Sequence, residues 1–341
     1  MTLWLVVVVF VAAFGLTAVL RTYALRRQLL DVPNARSSHV VPTPRGGGVA
    51  IVVVTLGLLP LLWWYEAANA SLVWALLGAG LLVALIGFAD DHGHIAARWR
   101  LLGHFVAALW GLAWLGGLPP LTLFGMTLAL GWLGNLLGLL FLVWMLNLYN
   151  FMDGIDGIAS IQAISVCLGA LLCYAFAVLS DGARLGDVEL LLAAAVAGFC
   201  CWNFPRARIF MGDAGSGFLG IVLGVLALGA AWAVPHLLWS WLILLGVFIV
   251  DATFTLLRRL LRGEAVYQAH RSHAYQVAAR RFGRHVPVTV AVGLINLGWL
   301  LPWAVWVASG GVEGATALVI AYLPLLCLCI WLHAGAAETS A

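Results

Sequence analysis

Long apolar runs, separated by short polar segments, dominate the pattern of hydrophobic and polar positions along the chain. A helix needs about 20 apolar residues to cross the ~30 Å hydrocarbon core of a bilayer. Eleven runs approach or reach this length, and we predict a membrane helix for each. They are residues 2–20, 46–64, 72–89, 101–115, 131–149, 158–179, 188–203, 215–234, 237–257, 287–308 and 314–333.

Three details refine this pattern. Residues 116–130 begin with turn residues and are short, which favours a hairpin or a half-buried segment. The seventh run is also short, so we expect ten or eleven membrane helices. No basic residue precedes the first run, whereas Arg21, Arg26 and Arg27 follow it. This is typical of an anchor with its N-terminus outside rather than of a cleaved signal peptide.

The composition indicates a membrane protein. The 341 residues are 64% hydrophobic and 9% charged, with a mean hydropathy of +1.06, whereas soluble domains are about a quarter charged. A soluble enzyme, a nucleic-acid binder and a disordered scaffold are therefore excluded. All 17 basic residues are arginine, which excludes Schiff-base chemistry on lysine and a Walker-type phosphate site. The six cysteines lie in apolar runs, so we expect no disulfide framework.

The arginines are biased towards alternate loops. Sixteen of the 17 share one side of the membrane if the chain starts outside, and Arg184 is the exception. The positive-inside rule assigns that side to the cytoplasm. We predict an all-α integral membrane protein, with a single polytopic domain over 1–341 that forms a bundle of 10–11 transmembrane helices. Its cytoplasmic loops are predicted at 21–45, 90–100, 150–157, 204–214 and 258–286.

Adjacent carboxylates, Asp90 and Asp91, end the third run. Two carboxylates at a membrane boundary repel each other, and burying them is costly unless they share a cation. A hard divalent ion with oxygen ligands would remove that cost. The alternative is a solvated helix cap beside the interfacial arginines Arg98 and Arg100.

A second polar cluster, NLYNFMDGIDG, follows the fifth run. Asn147, Asn150 and Asp153 are three residues apart and would lie on one face of a continuing helix, and Asp156 follows on a glycine-broken turn. Polar groups this close to lipid indicate a ligand site more than plain capping. The spacing does not fit a calcium-binding EF-hand loop.

The third polar segment, NFPRARIFMGDAGSG, contains Asn203 and Asp213. Its glycines are not in the order GxGxxG and no strand precedes them, which excludes a dinucleotide-binding fold. A glycine-rich turn with an aspartate at a helix start can instead place a carboxylate on a metal-bound phosphate.

Basic residues and histidines lie in the first and last polar loops. Arg45 precedes three glycines, in a segment that can face an anion or act as a solvated hinge. His270, Arg271 and His273 suit a diphosphate, and the alternative is a basic surface for anionic lipid headgroups. Zinc is not favoured because no further ligand is near in sequence. Asp251, inside the ninth run, is an intramembrane acid and therefore a candidate functional residue.

We expect five aspartates from three loops to lie at the same membrane face. This arrangement fits a Mg²⁺ and diphosphate site better than a transport path, which would place polar groups near mid-bilayer in paired broken helices. The five are Asp90, Asp91, Asp153, Asp156 and Asp213.

Five ordered motifs, from about Asp31 to Gln276, carry a family resemblance. The motifs are DVPNARSSH with PTPRGGG, DDHGH with RWRLL, NLYNFMDGIDGIA, NFPRARIFMGDAGSGFLG and HRSHAYQ. The chain resembles the polyprenyl-phosphate N-acetylhexosamine-1-phosphate transferases (glycosyltransferase family 4), bacterial membrane enzymes that start cell-wall and O-antigen assembly.

The resemblance implies transfer of a sugar 1-phosphate from a UDP-N-acetylhexosamine to undecaprenyl phosphate, with release of UMP. It implies a requirement for Mg²⁺, for which Mn²⁺ is a substitute. It also implies that Asp90, Asp91 and Asp213 are catalytic and near the metal, and that Asp90 is a candidate base for the lipid phosphate. The residues implied in substrate binding are Asn147, Asn150, Asp153, Asp156, Asn203, Arg45, His270, Arg271 and His273.

Two departures from the extended family pattern bear on the donor sugar. His94 stands where relatives often have a third aspartate, and no lysine lies near the first glycine-rich turn. With these differences and the HRSHAYQ form of its last motif, the chain resembles the O-antigen-initiating branch of the family. The donors of that branch are UDP-GlcNAc or relatives such as UDP-FucNAc and UDP-QuiNAc.

Two other functions stay open at this point. One is the phospho-MurNAc-pentapeptide transferase of peptidoglycan synthesis, and the other, outside enzymology, is a lipid-linked transporter. For a transferase, the resemblance implies a multi-pass protein of the bacterial inner membrane, with its active site at the cytoplasmic face. A homodimer is typical of such relatives.

Overall fold

The computed structural model describes residues 2–33, 41–93, 95–177, 185–264 and 270–337, so Arg36, His94 and Arg184 lie outside the described residues. Helices form most of the chain, as predicted for an all-α protein. A π-helical turn spans Asn296–Leu300. The helices are α1 (Thr2–Arg26), α2 (Val49–Trp64), α3 (Ala70–His92), α4 (Ala97–Leu115), α5 (Gly131–Met152), α6 (Ile158–Phe176), α7 (Asp187–Asn203), α8 (Asp213–Ala233), α9 (Leu237–Leu244), α10 (Gly246–Leu261), α11 (Ala274–Phe282), α12 (Val286–Ile295), α13 (Leu301–Ala308) and α14 (Gly314–Trp331).

Each of the eleven predicted apolar runs is helical, but fewer of them meet the requirements for a membrane span. Among the described residues, seven helices are long and apolar enough, or eight if α9 and α10, which meet at a 69° bend, count as one. This count rests on length and apolar composition alone, and α2, α4 and α7 also run between the two ends of the bundle, in agreement with the predicted ten or eleven crossings. These three helices are left out of the count because of length and charge. Helix α2 has 16 residues, about 24 Å at 1.5 Å per residue. Helix α7 has 17 residues, and α4 begins with two arginines.

The predicted hairpin at 116–130 is confirmed. Strands β3 (Leu121–Leu123) and β4 (Met126–Leu128) pair antiparallel. The Trp239 indole donates a hydrogen bond to the Thr122 carbonyl at 2.8 Å, and the Phe124 N–H donates to the Glu313 carboxylate at 3.3 Å. These contacts attach the hairpin to the start of α9 and of α14, at what we call the hairpin end of the bundle.

The polar loops meet at the opposite end, which we call the motif end and define by residues 27–33, 41–48, 90–93, 153–157, 204–212 and 270–285. A short antiparallel pair, β1 (Leu30–Asp31) and β2 (Thr43–Pro44), lies there. The Arg21 side chain donates to the Arg208 carbonyl at 3.3 Å. The Gly335 N–H donates to the Ser272 carbonyl at 2.7 Å, so the end of α14 reaches the same loops. The loops that the arginines predicted on one side of the membrane thus lie at the same end of the described bundle.

Helix α8 runs through the centre of the bundle, and 94% of its apolar stretch is buried. Glycines allow its neighbours to approach closely. A Cβ at Gly220 would lie 2.6 Å from the Met145 carbonyl oxygen of α5, and one at Gly87 of α3 would lie 2.5 Å from the backbone of Asp213. The first residue of α8 is thereby held against the end of α3.

We predict that Gly87→Ala destabilises the protein by about 1–3 kcal/mol, because the added methyl group forces apart two backbones that already touch. Thermal unfolding of the purified protein in detergent measures this. Gly57→Ala is the matched control, since Gly57 is also helical but has no atom within 4 Å of the added Cβ. Equal effects of the two substitutions would contradict the proposed close packing.

Candidate active site

The Asp91 carboxylate caps the N-terminus of α8. Its Oδ1 accepts the backbone N–H of Asp213 at 3.2 Å, and its Oδ2 accepts that of Ala214 at 3.3 Å. The side chain is 5% exposed. A negative charge at a helix N-terminus is stabilised by unpaired N–H groups and by the helix dipole. Asp91, the last residue but one of α3, therefore positions the start of α8.

Local glycines make this contact sterically feasible. Gly212 has φ +78°, and a Cβ there would lie 2.6 Å from Asp91 Oδ2. The PRGGG segment pairs with the segment before Asp213, since the N–H groups of Gly47 and Gly48 donate to the carbonyls of Phe210 and Met211 at 2.9 and 2.8 Å. The glycine-rich turn predicted to face an anion therefore supports the Asp213 turn directly.

Arg45 extends this support. Its guanidinium donates a short hydrogen bond to the backbone carbonyl of Asp91. Its Nε is buried and has no hydrogen-bond partner among the described residues. Arg45 thus lies beside the carboxylate cluster.

Arg100 links the remaining two carboxylates. Its Nη1 makes a short ion pair with Asp90 Oδ2 and lies 3.4 Å from Asp213 Oδ2. Asp90 Oδ1 also accepts the N–H of Ile95 at 2.9 Å. The sequence predicted Arg100 only as an interfacial arginine. Its short distance in sequence from Asp90, across the turn between α3 and α4, could have indicated this ion pair. The structure therefore joins Asp90, Asp91 and Asp213 in one cluster with a cation.

Asn150 and Asn147 border this cluster from α5. The Asn150 amide donates to Asp213 Oδ1 at 2.9 Å and to the Ser216 hydroxyl at 3.0 Å. Asn147 donates to the Val143 carbonyl at 2.7 Å within its own helix. Both asparagines line a pocket of about 160 Å³ that also exposes Arg100 and Asp213.

Asp153 is a half-buried carboxylate at the end of α5 that accepts no hydrogen bond from the described residues. Burial, together with the nearby charges of Asp213 and Asp91, raises its pKa to about 7. An unpaired carboxylate close to two others is an arrangement that a bound cation would relieve.

Asp156 and Asn203 lie farther from the cluster. Asp156 Oδ1 is 3.2 Å from His285 Nδ1, and its carbonyl accepts the Thr289 hydroxyl at 2.7 Å. Asn203 is 4% exposed, accepts the Gly157 N–H at 2.9 Å and donates to the Ile209 carbonyl at 3.0 Å. Asn203 therefore holds two motif loops together, whereas Asp156 lines a separate pocket.

The HRSHAYQ motif surrounds the buried Asp251. Asp251 accepts the N–H groups of Ala274 and Tyr275 at 2.8 and 3.0 Å, and lies 3.3 Å from His273 Nδ1. It thus caps α11, a structural role that the sequence did not indicate because this helix begins more than 20 residues away.

The rest of this motif connects to α5. The Tyr275 hydroxyl donates to the Phe151 carbonyl at 3.0 Å, and a Cβ at Gly154 would collide with that hydroxyl. His270 stacks on His273, and burial, with the charges of His273 and Arg259, lowers the pKa of His270 to about 3. The backbone carbonyl of Arg271 accepts the Arg280 guanidinium at 2.7 Å. His270 is therefore neutral near pH 7.

The donor set fits a magnesium ion that shares its coordination with substrate. No three His, Cys, Asp or Glu side chains among the described residues are grouped closely enough to enclose a metal. Mg²⁺, however, usually takes only one or two carboxylates together with waters and substrate phosphates. Asp213, with 37% of its side chain exposed, is the most accessible carboxylate of the cluster, since Asp90 is 10% exposed.

All six cysteines are free, as expected. The cluster, its glycine-supported turn and the asparagines of α5 all fall within the part of the chain that matches a known family model. Residues 73–231 match the model described as glycosyl transferase family 4.

Several characterised or named relatives align over most of the chain. A decaprenyl-phosphate N-acetylglucosaminephosphotransferase from Mycolicibacterium smegmatis is 30% identical, and the alignment covers 92% of this chain and 88% of the relative. A probable undecaprenyl-phosphate N-acetylglucosaminyl 1-phosphate transferase from Bacillus subtilis is 31% identical over 76% and 72%. A phospho-N-acetylmuramoyl-pentapeptide-transferase from Thermosynechococcus vestitus is 31% identical over 73% and 68%.

The similarity to the first of these relatives extends over nearly the whole of both chains, and the described residues of the motifs lie on a bundle of apolar helices. The chain therefore belongs to the polyprenyl-phosphate N-acetylhexosamine-1-phosphate transferases of glycosyl transferase family 4.

Proposed function

We propose that the protein transfers N-acetylhexosamine 1-phosphate from a UDP-sugar to undecaprenyl phosphate and releases UMP. The observation that carries this proposal is the convergence of Asp90, Asp91 and Asp213 with Arg100 at the start of α8. A cluster of carboxylates can hold a divalent cation, and such a cation suits a reaction between two phosphate anions.

Asp213 would hold Mg²⁺, with Mn²⁺ as a substitute, and Asp90, Asp91 and Asp153 would supply further negative charge around the ion. When bound, the ion would neutralise charge on the diphosphate of the donor. Asp91 keeps Asp213 in place, because both of its oxygens accept N–H groups of the same helix start. Asn150 fixes the orientation of the Asp213 carboxylate through its hydrogen bond to Oδ1.

The proposed reaction is a single displacement. An oxygen of the lipid phosphate attacks the phosphorus that carries the sugar, and the bond from that phosphorus to the oxygen of UMP breaks. A phosphate monoester is largely ionised at neutral pH, so Asp90 needs only to orient the nucleophile. Positioning and charge neutralisation would then provide most of the rate. Arg45 and Arg100 are the nearest fixed positive charges.

The donor is proposed to be UDP-GlcNAc, because the names of the Mycolicibacterium and Bacillus relatives specify N-acetylglucosamine. UDP-FucNAc and UDP-QuiNAc are the variants suggested by the motif form HRSHAYQ. UDP-MurNAc-pentapeptide is the second candidate, since the Thermosynechococcus relative is named for it at similar identity. A transporter is less well supported, because the named relatives are transferases.

The proposed setting is the bacterial inner membrane, with the motif end in the cytoplasm. The arginines that line the motif end support this orientation through the positive-inside rule. The lipid-linked sugar would start the assembly of O-antigen or another surface polysaccharide. A homodimer is part of the same proposal.

We predict that UMP release requires Mg²⁺ and falls at least about a hundredfold in Asp213→Asn and Asp91→Asn, since the first removes the proposed metal ligand and the second the carboxylate that positions it. Release is measured with UDP-GlcNAc and undecaprenyl phosphate, with and without EDTA. Asp187→Asn, at the hairpin end, is the control for a lost carboxylate. Undiminished release in both site variants would refute the assignment.

The donor is identified by supplying UDP-GlcNAc, UDP-FucNAc, UDP-QuiNAc and UDP-MurNAc-pentapeptide in parallel and weighing the lipid product. We expect an undecaprenyl-diphospho-N-acetylhexosamine from UDP-GlcNAc. A product formed only from the pentapeptide nucleotide would move the protein to peptidoglycan synthesis.

A single displacement also predicts that enzyme mixed with UDP-GlcNAc and Mg²⁺, but without lipid phosphate, releases no UMP. Rapid quenching followed by mass measurement of the protein checks this. A stoichiometric burst of UMP together with covalently labelled enzyme would instead establish a two-step route through an aspartyl intermediate.

A further inference from the structure

An unpartnered histidine lies in the pocket beside the carboxylate cluster. His104 of α4 lines the pocket that also exposes Arg100, Asn150 and Asp213. Its Nδ1 is buried and makes no hydrogen bond to a described residue. Buried polar atoms without partners are rare in native proteins. Because the His104 side chain lines the pocket, a polar group of a ligand there can supply a hydrogen-bond partner for the imidazole.

The pocket has one polar end and one apolar wall. Arg100 and Asp213 form the polar end, towards the motif end of the bundle. The apolar wall includes Leu101 of α4, which is 46% exposed, so this wall reaches the surface of the helix bundle. This shape suits an amphiphile that has an anionic head and an apolar tail. The apolar wall consists of Val83, Ile86, Leu101 and Leu146.

His104 lies deeper in the bundle than Arg100. The two are four residues apart on α4, so their side chains share one face of the helix. Because α4 starts at the motif end, His104 is one turn farther towards the middle of the bilayer. A water-soluble nucleotide reaches the cluster from the motif end, whereas a lipid phosphate reaches it from the bilayer. The depth of His104 therefore favours contact with the lipid substrate.

We propose that His104 donates a hydrogen bond to the phosphate of the polyprenyl phosphate acceptor and thereby positions the oxygen that attacks the donor. This inference rests on the proposed function. The imidazole N–H binds an oxygen of the phosphate that does not react, while Arg100 supplies positive charge one turn away. No proton transfer is required of His104.

The test measures UMP release by the full-length protein in detergent. Undecaprenyl phosphate is varied at saturating UDP-GlcNAc, and UDP-GlcNAc is then varied at saturating undecaprenyl phosphate. His104→Leu is expected to raise the KM for undecaprenyl phosphate between about tenfold and a hundredfold, the usual effect of losing a hydrogen bond to a charged group. The KM for UDP-GlcNAc is expected to stay within about twofold. His104→Gln, which keeps an N–H donor, is expected to recover most of the loss.

Thermal unfolding and a control variant separate binding from a structural role. Removing an unpaired buried nitrogen should leave the melting temperature of His104→Leu equal to or above that of the unmodified protein. His333→Leu, at an exposed histidine after α14, is expected to change neither KM. A lowered melting temperature in both His104 variants, or parallel changes in both KM values, would overturn the inference. Normal turnover by His104→Leu with an unchanged KM for undecaprenyl phosphate would overturn the inference but not the proposed function. No turnover by the unmodified protein would overturn both.

Discussion

The contact between the Asp91 carboxylate and the first N–H groups of α8 is the constraint on which the site depends. A buried charge is tolerated only when it is paired or hydrogen-bonded, and the helix start of α8 satisfies both oxygens of Asp91. The contact brings the end of α3 to Asp213, and Gly87 and Gly212 leave the space for it. Asp90 pairs with Arg100, and Asp213 accepts a hydrogen bond from Asn150, beside this junction.

The same device recurs at the last motif. Asp251 of α10 caps α11, just as Asp91 of α3 caps α8, and both aspartates are at most 5% exposed. At the bend between α9 and α10, the Gln162 amide donates a hydrogen bond to the Leu244 carbonyl. Several buried polar residues in this apolar bundle thus hold helix ends. Among the described residues that do not, Asp153 and His104 lie beside the carboxylate cluster, where a ligand would satisfy them.

Sequence patterns predicted the elements well and the roles of individual polar residues less well. The helices follow from the length of the apolar runs, which is a local property, and the hairpin follows from the turn residues at 116–130. The sequence indicated Asp251 as a candidate functional residue but did not indicate that it caps α11. Arg100 was not assigned to the site although its partner Asp90 is near in sequence, and His104 was missed because its pocket is completed by helices far along the chain.

The amino-acid sequence alone determined the class of protein, the positions of its helices, the side on which its arginines collect and its family, because hydropathy, charge bias and ordered motifs can be measured without coordinates. Only the tertiary structure decided which carboxylates face a ligand and which hold the fold. An aspartate has the same chemistry in either role, so its role depends on whether backbone N–H groups of another helix already satisfy its oxygens. That information exists only once distant helices have packed together.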